Sequence, residues 1–230
     1  MEIIARNSEI ETLERKYCSG RSEFIIVYGR RRIGKTYLIN KLFNDRFTFT
    51  YVGACKQKPQ KQLQRFAEQL RLFSGSTYAP SLNNWEDAFN ELKVLINSRP
   101  SDERKVIFID EMPWIDTPRS SFVEALEYFW NAWAAQRDDI MFIACGSATS
   151  WMVNKLVKNR GGLHNRITEQ IYLRPFTLRE CEEYLQNNGF IWDRYTILQY
   201  YMAMGGVPYY LTLLNPVQSL AQNIDRLFFS

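Results

Sequence analysis

The sequence predicts an α/β fold built on a parallel sheet. Apolar, β-prone runs alternate with helical patterns from Phe24 to Leu173. Each run is short and continuous, as strands buried on both faces are. Beyond Pro175 the strand signals stop and helical spacing alone continues. The expected division is a core over residues 1–175 and a small helical lid over 176–230.

Arg6 to Tyr17 opens on Asn7-Ser8, carries Glu9 and Glu11 in its first turn and lines up Ile10, Leu13 and Tyr17, the pattern of a capped amphipathic helix. Cys18-Ser19-Gly20 breaks it, and Phe24 to Tyr28 is the first strand. A glycine-bounded basic stretch, Arg30 to Lys35, leads into helical spacing from Thr36 to Phe43. Phe47 to Val52, aromatic and β-branched, is the second strand. Helical patterns near Lys61 to Phe73 and Trp85 to Asn97, separated by Gly75, Pro80 and Asn83-Asn84, supply the crossover to a third strand, Val106 to Ile109, which runs into Asp110-Glu111. Phe122 to Ala135 reads as the next helix and Ile140 to Cys145 as the fourth strand, closed by Gly146-Ser147. A weaker fifth strand covers about Gln170 to Leu173, after an irregular segment with Gly161-Gly162 and Asn165. Thr177 and Glu180 have capping-box spacing. Helices follow near Thr177 to Asn187, Asp193 to Met204 and from Pro208 onward, broken at Gly205-Gly206 and Pro216.

Composition narrows the function classes. With 46% hydrophobic residues over 230, the chain can bury a large core, which excludes disorder. Lys plus Arg at 29 against Asp plus Glu at 25 gives +4, too mild to predict nucleic-acid binding from net charge, though an anionic ligand at one site stays open. No apolar run approaches the ~18 residues of a membrane span. The first residues carry no leader pattern, so the expected location is cytoplasmic. Cys18, Cys55, Cys145 and Cys181 are dispersed and His164 is the single histidine, which argues against a zinc site or a disulfide framework. The apolar end Arg226-Leu227-Phe228-Phe229-Ser230 reads as a chain that stops inside a larger parent protein or buries this end in a partner.

Chemistry concentrates at three places. Gly29-Arg30-Arg31-Arg32-Ile33-Gly34-Lys35-Thr36, followed by Tyr37, matches the phosphate-binding pattern G-x-x-x-x-G-K-[ST] between a strand and a helix. The glycines let successive N–H groups converge on an anion at a helix N-terminus, Lys35 reaches the β- and γ-phosphates, and the Thr36 hydroxyl ligates Mg²⁺. Arg30, Arg31 and Arg32 either add phosphate neutralisation, meet an acidic partner surface, or are simply solvated. Asp110-Glu111 at a strand tip supplies one carboxylate for Mg²⁺ and one to polarise an attacking water. Ser147 past the fourth strand either faces the γ-phosphate or caps the helix after it. Arg160 and Arg166 flank the Gly161-Gly162 turn, where either can present a guanidinium to a phosphate across an interface. Tyr195, Tyr200, Tyr201, Tyr209 and Tyr210 read as lid core or an interface.

These motifs, with Phe108 to Trp114, Cys145-Gly146-Ser147, Leu163 to Ile167, Arg174-Pro175-Phe176 and Gly205 to Tyr210, resemble the archaeal-type ATPase family of AAA+/STAND-like P-loop ATPases, which also occurs in bacteria. The resemblance runs in order along essentially the whole chain. It implies a five-stranded sheet in order 5-1-4-3-2 with a helical lid, ATP and Mg²⁺ as ligands, and Lys35 and Thr36 in the phosphate and metal roles. It further implies Asp110 on the metal, Glu111 as catalytic base, Ser147 as sensor, Arg166 as the arginine before the last strand, Pro208 against the nucleotide and Arg6 near the base. Family members usually continue into a winged helix and often a nuclease-like domain, so a role toward DNA would enter only through a region this chain lacks. The implied function is ATP hydrolysis driving a switch between core and lid, alone, as a homo-oligomer or with a protein partner. The alternatives are a nucleotide-binding scaffold with negligible turnover and a P-loop small-molecule kinase. DNA binding through Lys155, Lys158, Arg160 and Arg166 is a further alternative.

Overall fold

The computed structural model describes residues 3–100, 102–158, 161–163 and 165–229. Five parallel strands form one sheet: β1 (Glu23–Tyr28), β2 (Phe47–Val52), β3 (Lys105–Asp110), β4 (Ile140–Gly146) and β5 (Glu169–Tyr172). Their spatial order is β2-β3-β4-β1-β5, the expected 5-1-4-3-2 read from the other edge. Every residue of β3 and β4 is buried, which explains why Val106 to Ile109 and Ile140 to Cys145 are continuous apolar runs rather than alternating.

Helices cover both faces. On one, α1 (Asn7–Tyr17) and α2 (Lys35–Phe43) set Leu13, Leu38, Ile39 and Phe43 against Ile25, Val27, Phe108 and Ile143. On the other, α3 (Pro59–Ser74), α4 (Trp85–Asn97) and α5 (Phe122–Ala132) build an aromatic-rich core. There Phe66, Trp85, Phe89 and Phe122 meet at centroid separations of 5.0–6.5 Å. A third apolar cluster lies among the helices after β5: α7 (Leu178–Asn187), α8 (Arg194–Met204), α9 (Pro208–Thr212) and α10 (Leu220–Phe228). Between β4 and β5 a single α-turn, α6 (Thr149–Trp151), continues as a π-helix, Met152–Val157.

The differences from expectation have local causes. α1 is not capped by Asn7-Ser8. Its N-cap is Arg6 in a left-handed conformation, and the Ser8 hydroxyl bonds Glu9 instead. The pattern read as one helix from Pro208 divides into α9 and α10. Asn223 fills the corner between them, its amide nitrogen donating to the Asn215, Gln218 and Ser219 carbonyls. The Thr177 capping box forms as its spacing predicts. Gly206 is a close-approach position: the Phe176 N–H donates to its carbonyl at 2.6 Å, and a Cβ there would run into the Phe176 backbone. Phe228 and Phe229 are exposed. Among the described residues no helix is long and apolar enough to cross a membrane. Arg160 and His164 fall outside the described residues.

At the N-terminal end of β1 the fold buries an ion pair. Lys16 donates to Glu23 Oε2 at 3.1 Å and to the Thr168 carbonyl at 2.7 Å, while Arg21 holds Glu23 Oε1 at 3.0 Å. Burial pushes the Glu23 carboxyl up, but hydrogen bonds from Thr168, Arg21, Lys16 and Ser19 outweigh it and hold it down at about 2 against an ordinary 4.5. A carboxyl depressed in the folded state stabilises above its unfolded value. That stability, about 3 kcal/mol, is therefore present above pH ~4.5 and lost as pH falls toward 2. Denaturant unfolding of Glu23→Gln at pH 7 and pH 3 is expected to show a weaker protein at pH 7 with a flattened acid limb. An unchanged acid limb would assign acid sensitivity elsewhere.

Candidate functional site

The site sits at the C-terminal ends of β1, β3 and β4. The loop after β1 turns through Gly29, whose φ of 146° belongs to glycine and which packs against the Leu173 carbonyl at the end of β5. It reaches α2 through Gly34, the left-handed N-cap at φ 88°. Backbone N–H groups at that helix start are without intrahelical partners, which makes the position an anion site by construction.

Lys35 is buried, and its ammonium donates to the carbonyls of Gly29 at 3.1 Å and Arg30 at 2.9 Å. A cation is thus held under the loop, able to exchange backbone acceptors for an anion. Thr36 donates its hydroxyl to Asp110 Oδ2 at 2.6 Å, joining α2 to the tip of β3. Asp110 is buried, and its Oδ1 accepts from the Glu111 N–H at 2.8 Å. Beside it, burial pushes the Cys145 thiol well above its usual range and the Asp110 carboxylate adds to the effect, so Cys145 stays a neutral thiol. Glu111 adopts a left-handed φ of 46° where β3 turns into the short 3₁₀ helix Met112–Trp114, and Ser147 donates to its Oε2 at 3.0 Å. Ser147 therefore does not cap the following helix, whose N-cap is Ala148.

A cavity of about 420 Å³ opens beside these groups, within the range that takes small-molecule ligands. Of the sequence-predicted residues it takes in Arg6, Arg31, Arg32, Ile33, Gly34, Lys35, Thr36, Tyr37, Glu111 and Pro208. Gly29, Arg30, Asp110 and Ser147 join it through the hydrogen bonds above. Arg166 does not. It is exposed just before β5, and Thr168 pairs with Phe24, so about 16 Å of strand separates this end of the sheet from the loop.

The three loop arginines, alike in sequence, differ in place. Arg30 is exposed and lends its carbonyl to Lys35. Arg31 donates through Nε to Ser147 Oγ at 3.4 Å and lies 5.9 Å over the Trp114 ring. Arg32 sits 4.7 Å over Tyr209 and its carbonyl accepts from the Tyr209 N–H at 3.3 Å, which ties the loop to α9. Arg6 is more committed than its sequence position implies. It bonds the Arg174 carbonyl at 2.6 Å and the Ile33 carbonyl at 3.4 Å, stacks on Phe176 at 4.7 Å and pairs with Glu9 at 3.6 Å. Burial lowers its pKa, opposed by Glu9 and Glu180.

Sequence reasoning missed the apolar wall: Ile3, Ile4, Tyr184 and Thr212 all line the cavity. Of the tyrosines read as lid core or interface, Tyr209 lines it, Tyr200 is buried and Tyr195 is exposed. The available signal was the apolar run Ile3-Ile4-Ala5 leading into Arg6.

Comparison with known proteins decides the family. A profile of ATPase domains, predominantly from Archaea, matches residues 4–214. The chain belongs to this family. An uncharacterized protein of Methanocaldococcus jannaschii is 27% identical to this archaeal-type ATPase domain over 208 residues, 90% of the chain and 43% of the relative. An uncharacterized ATP-binding protein of the same organism is 46% identical over 43 residues, 19% of the chain and 73% of that protein. Among solved structures, the Walker-type ATPase of Pyrococcus abyssi superposes on the ATPase domain with a TM-score of 0.63 at 18% identity, over 92% of this chain and 66% of that one. Drosophila ORC, solved bound to DNA, gives 0.67 at 15% identity over 100% and 62%. Likenesses at that identity show the fold. The chain spans less than half the length of the first M. jannaschii protein.

Proposed function

We propose that this ATPase domain binds ATP with Mg²⁺ and hydrolyses it, and that nucleotide state moves the helical lid of residues 176–230 against the core of residues 1–175. One observation carries the reading: Lys35, the Thr36 and Asp110 pair, and the Glu111 and Ser147 pair converge on one cavity from three strand ends. The Thr36 hydroxyl and Asp110 carboxylate, 2.6 Å apart, are hard oxygen donors that fit Mg²⁺. When bound, the ion neutralises charge on the phosphate oxygens. Lys35 then leaves the Gly29 and Arg30 carbonyls for the phosphates, and the N–H groups around Gly34 orient them. Glu111 accepts the proton of the attacking water, and Ser147 sets the direction of that carboxylate. Tyr37 and Pro208 flank the ligand. Arg6, with its guanidinium spent on Ile33, Arg174 and Phe176, shapes the base end rather than contacting phosphate. Arg32 on Tyr209 links the phosphate loop to the lid. The setting is taken to be cytoplasmic.

Arg166 is exposed at the end of the sheet opposite this cavity, so a phosphate it meets would belong to a neighbouring copy or partner. Turnover per chain is accordingly expected to rise with protein concentration, and Arg166→Ala to lower it by on the order of 10³ with nucleotide affinity retained. Turnover independent of concentration and untouched by the substitution would contradict completion across an interface. The same geometry favours one rival, a nucleotide-dependent scaffold: a lone chain with Glu111 held by Ser147, and with Arg166 at the other end of the sheet, retains nucleotide without hydrolysing it.

A further inference from the structure

Arg31 does something in this structure that a solvated loop cation does not. Its side chain reaches across the mouth of the site, from the phosphate loop after β1 to Ser147 after β4, with its guanidinium over Trp114 in the turn that follows Asp110-Glu111. Ser147 has one proton. Because its oxygen accepts from Arg31 Nε at 3.4 Å, that proton is directed to Glu111 Oε2 at 3.0 Å, and the three residues form a chain from loop cation to strand-tip carboxylate. Arg31 also lines the cavity with Lys35, Thr36 and Glu111, while its hydroxyl partner is neutral and its site exposed.

A neutral hydroxyl is a weak partner for a guanidinium. A terminal phosphate is a far stronger one, because it brings the opposite charge and accepts two parallel N–H bonds where the hydroxyl accepts one. A ligand shifts such an equilibrium only through contacts it makes in one state and not the other, and a diphosphate lacks the group that would compete for Arg31. The geometry points to Arg31 as a positioning residue that distinguishes nucleoside triphosphate from diphosphate. In the free chain it holds Ser147, and through it Glu111, in a resting arrangement. A γ-phosphate draws the guanidinium away, and Ser147, released from Arg31 but still bonded to Glu111, turns with that carboxylate toward the attacking water. The inference rests on the reading of the cavity as an ATP site, and it assigns to Arg31 a task distinct from the exposed Arg30 and the lid-bound Arg32.

The test is calorimetric titration of the whole chain with ADP and with a non-hydrolysable ATP analogue, both with Mg²⁺, for wild type, Arg31→Ala and Arg31→Lys, with thermal unfolding of each. Arg31→Ala is expected to lose about tenfold in affinity for the triphosphate while ADP affinity stays within twofold, and Arg31→Lys to recover part of the loss. Because part of what Arg31 does passes through Ser147, the effects of Arg31→Ala and Ser147→Ala on turnover at saturating ATP should combine to less than their sum. Equal losses for both nucleotides would make Arg31 a general support of the loop, and unchanged affinities would make it a solvated cation. Either result overturns the inference while leaving the ATP site standing. Wild type that binds neither nucleotide would overturn the ATP reading itself.

Discussion

Lys35→Ala is expected to weaken binding of both ADP and ATP by about 100-fold or more, the largest single effect on affinity in the protein. Lys35 is buried beneath the loop, and its ammonium donates to the Gly29 and Arg30 carbonyls. Lys35 lines the cavity, so the substitution is expected to remove ligand affinity more than fold stability. Lys35→Met, which keeps the volume without the charge, should behave alike. Calorimetric titration beside a thermal unfolding curve separates the two quantities. Affinity within twofold of wild type in a folded variant would remove Lys35 from the phosphate role.

The second large effect falls on rate. Glu111→Gln keeps the shape of the side chain and an oxygen for the Ser147 hydroxyl, which now sits at 3.0 Å from Oε2, but it removes the only basic function of the residue. Turnover is expected to fall by ~10²–10⁴ while nucleotide affinity holds, the range associated with loss of a positioned general base. The left-handed φ of 46° at Glu111 belongs to the backbone and is unaffected by the change from carboxylate to amide. Steady-state phosphate release at saturating ATP measures the rate, and titration measures the affinity. A parallel fall in both would mean that the residue supports binding rather than chemistry.

The fold was legible wherever an element is buried on both faces. β1, β3 and β4 are continuous apolar runs because parallel central strands see helices on either side, and their spacing alone implied the three layers. The phosphate loop, Asp110 and Glu111 were legible because their chemistry demands fixed residue types at fixed offsets. The rest depended on where chain segments meet in space. Arg30, Arg31 and Arg32 are identical letters, and only the positions of Ser147 and Tyr209 separate their environments. Arg6 read as a residue near a base, but distant carbonyls at Ile33 and Arg174 make it a bracket between α1, the loop and the end of β5. The apolar wall of Ile3, Ile4 and Tyr184 carries no motif, since burial against a ligand looks in sequence like burial against a core. The π-helix at Met152–Val157 has no residue-type signature comparable to a cap, so the sequence after Ser147 indicates a helix without its type.

The measurement that bears most directly on the central claim is phosphate release from ATP with Mg²⁺ across a range of protein concentrations, for wild type beside Glu111→Gln at equal nucleotide occupancy. The geometry of Lys35, Asp110, Glu111 and Ser147 predicts release by the wild type that rises per chain with concentration and is lost in the variant. Equal release by both proteins, or none by a nucleotide-loaded wild type at any concentration, would contradict it.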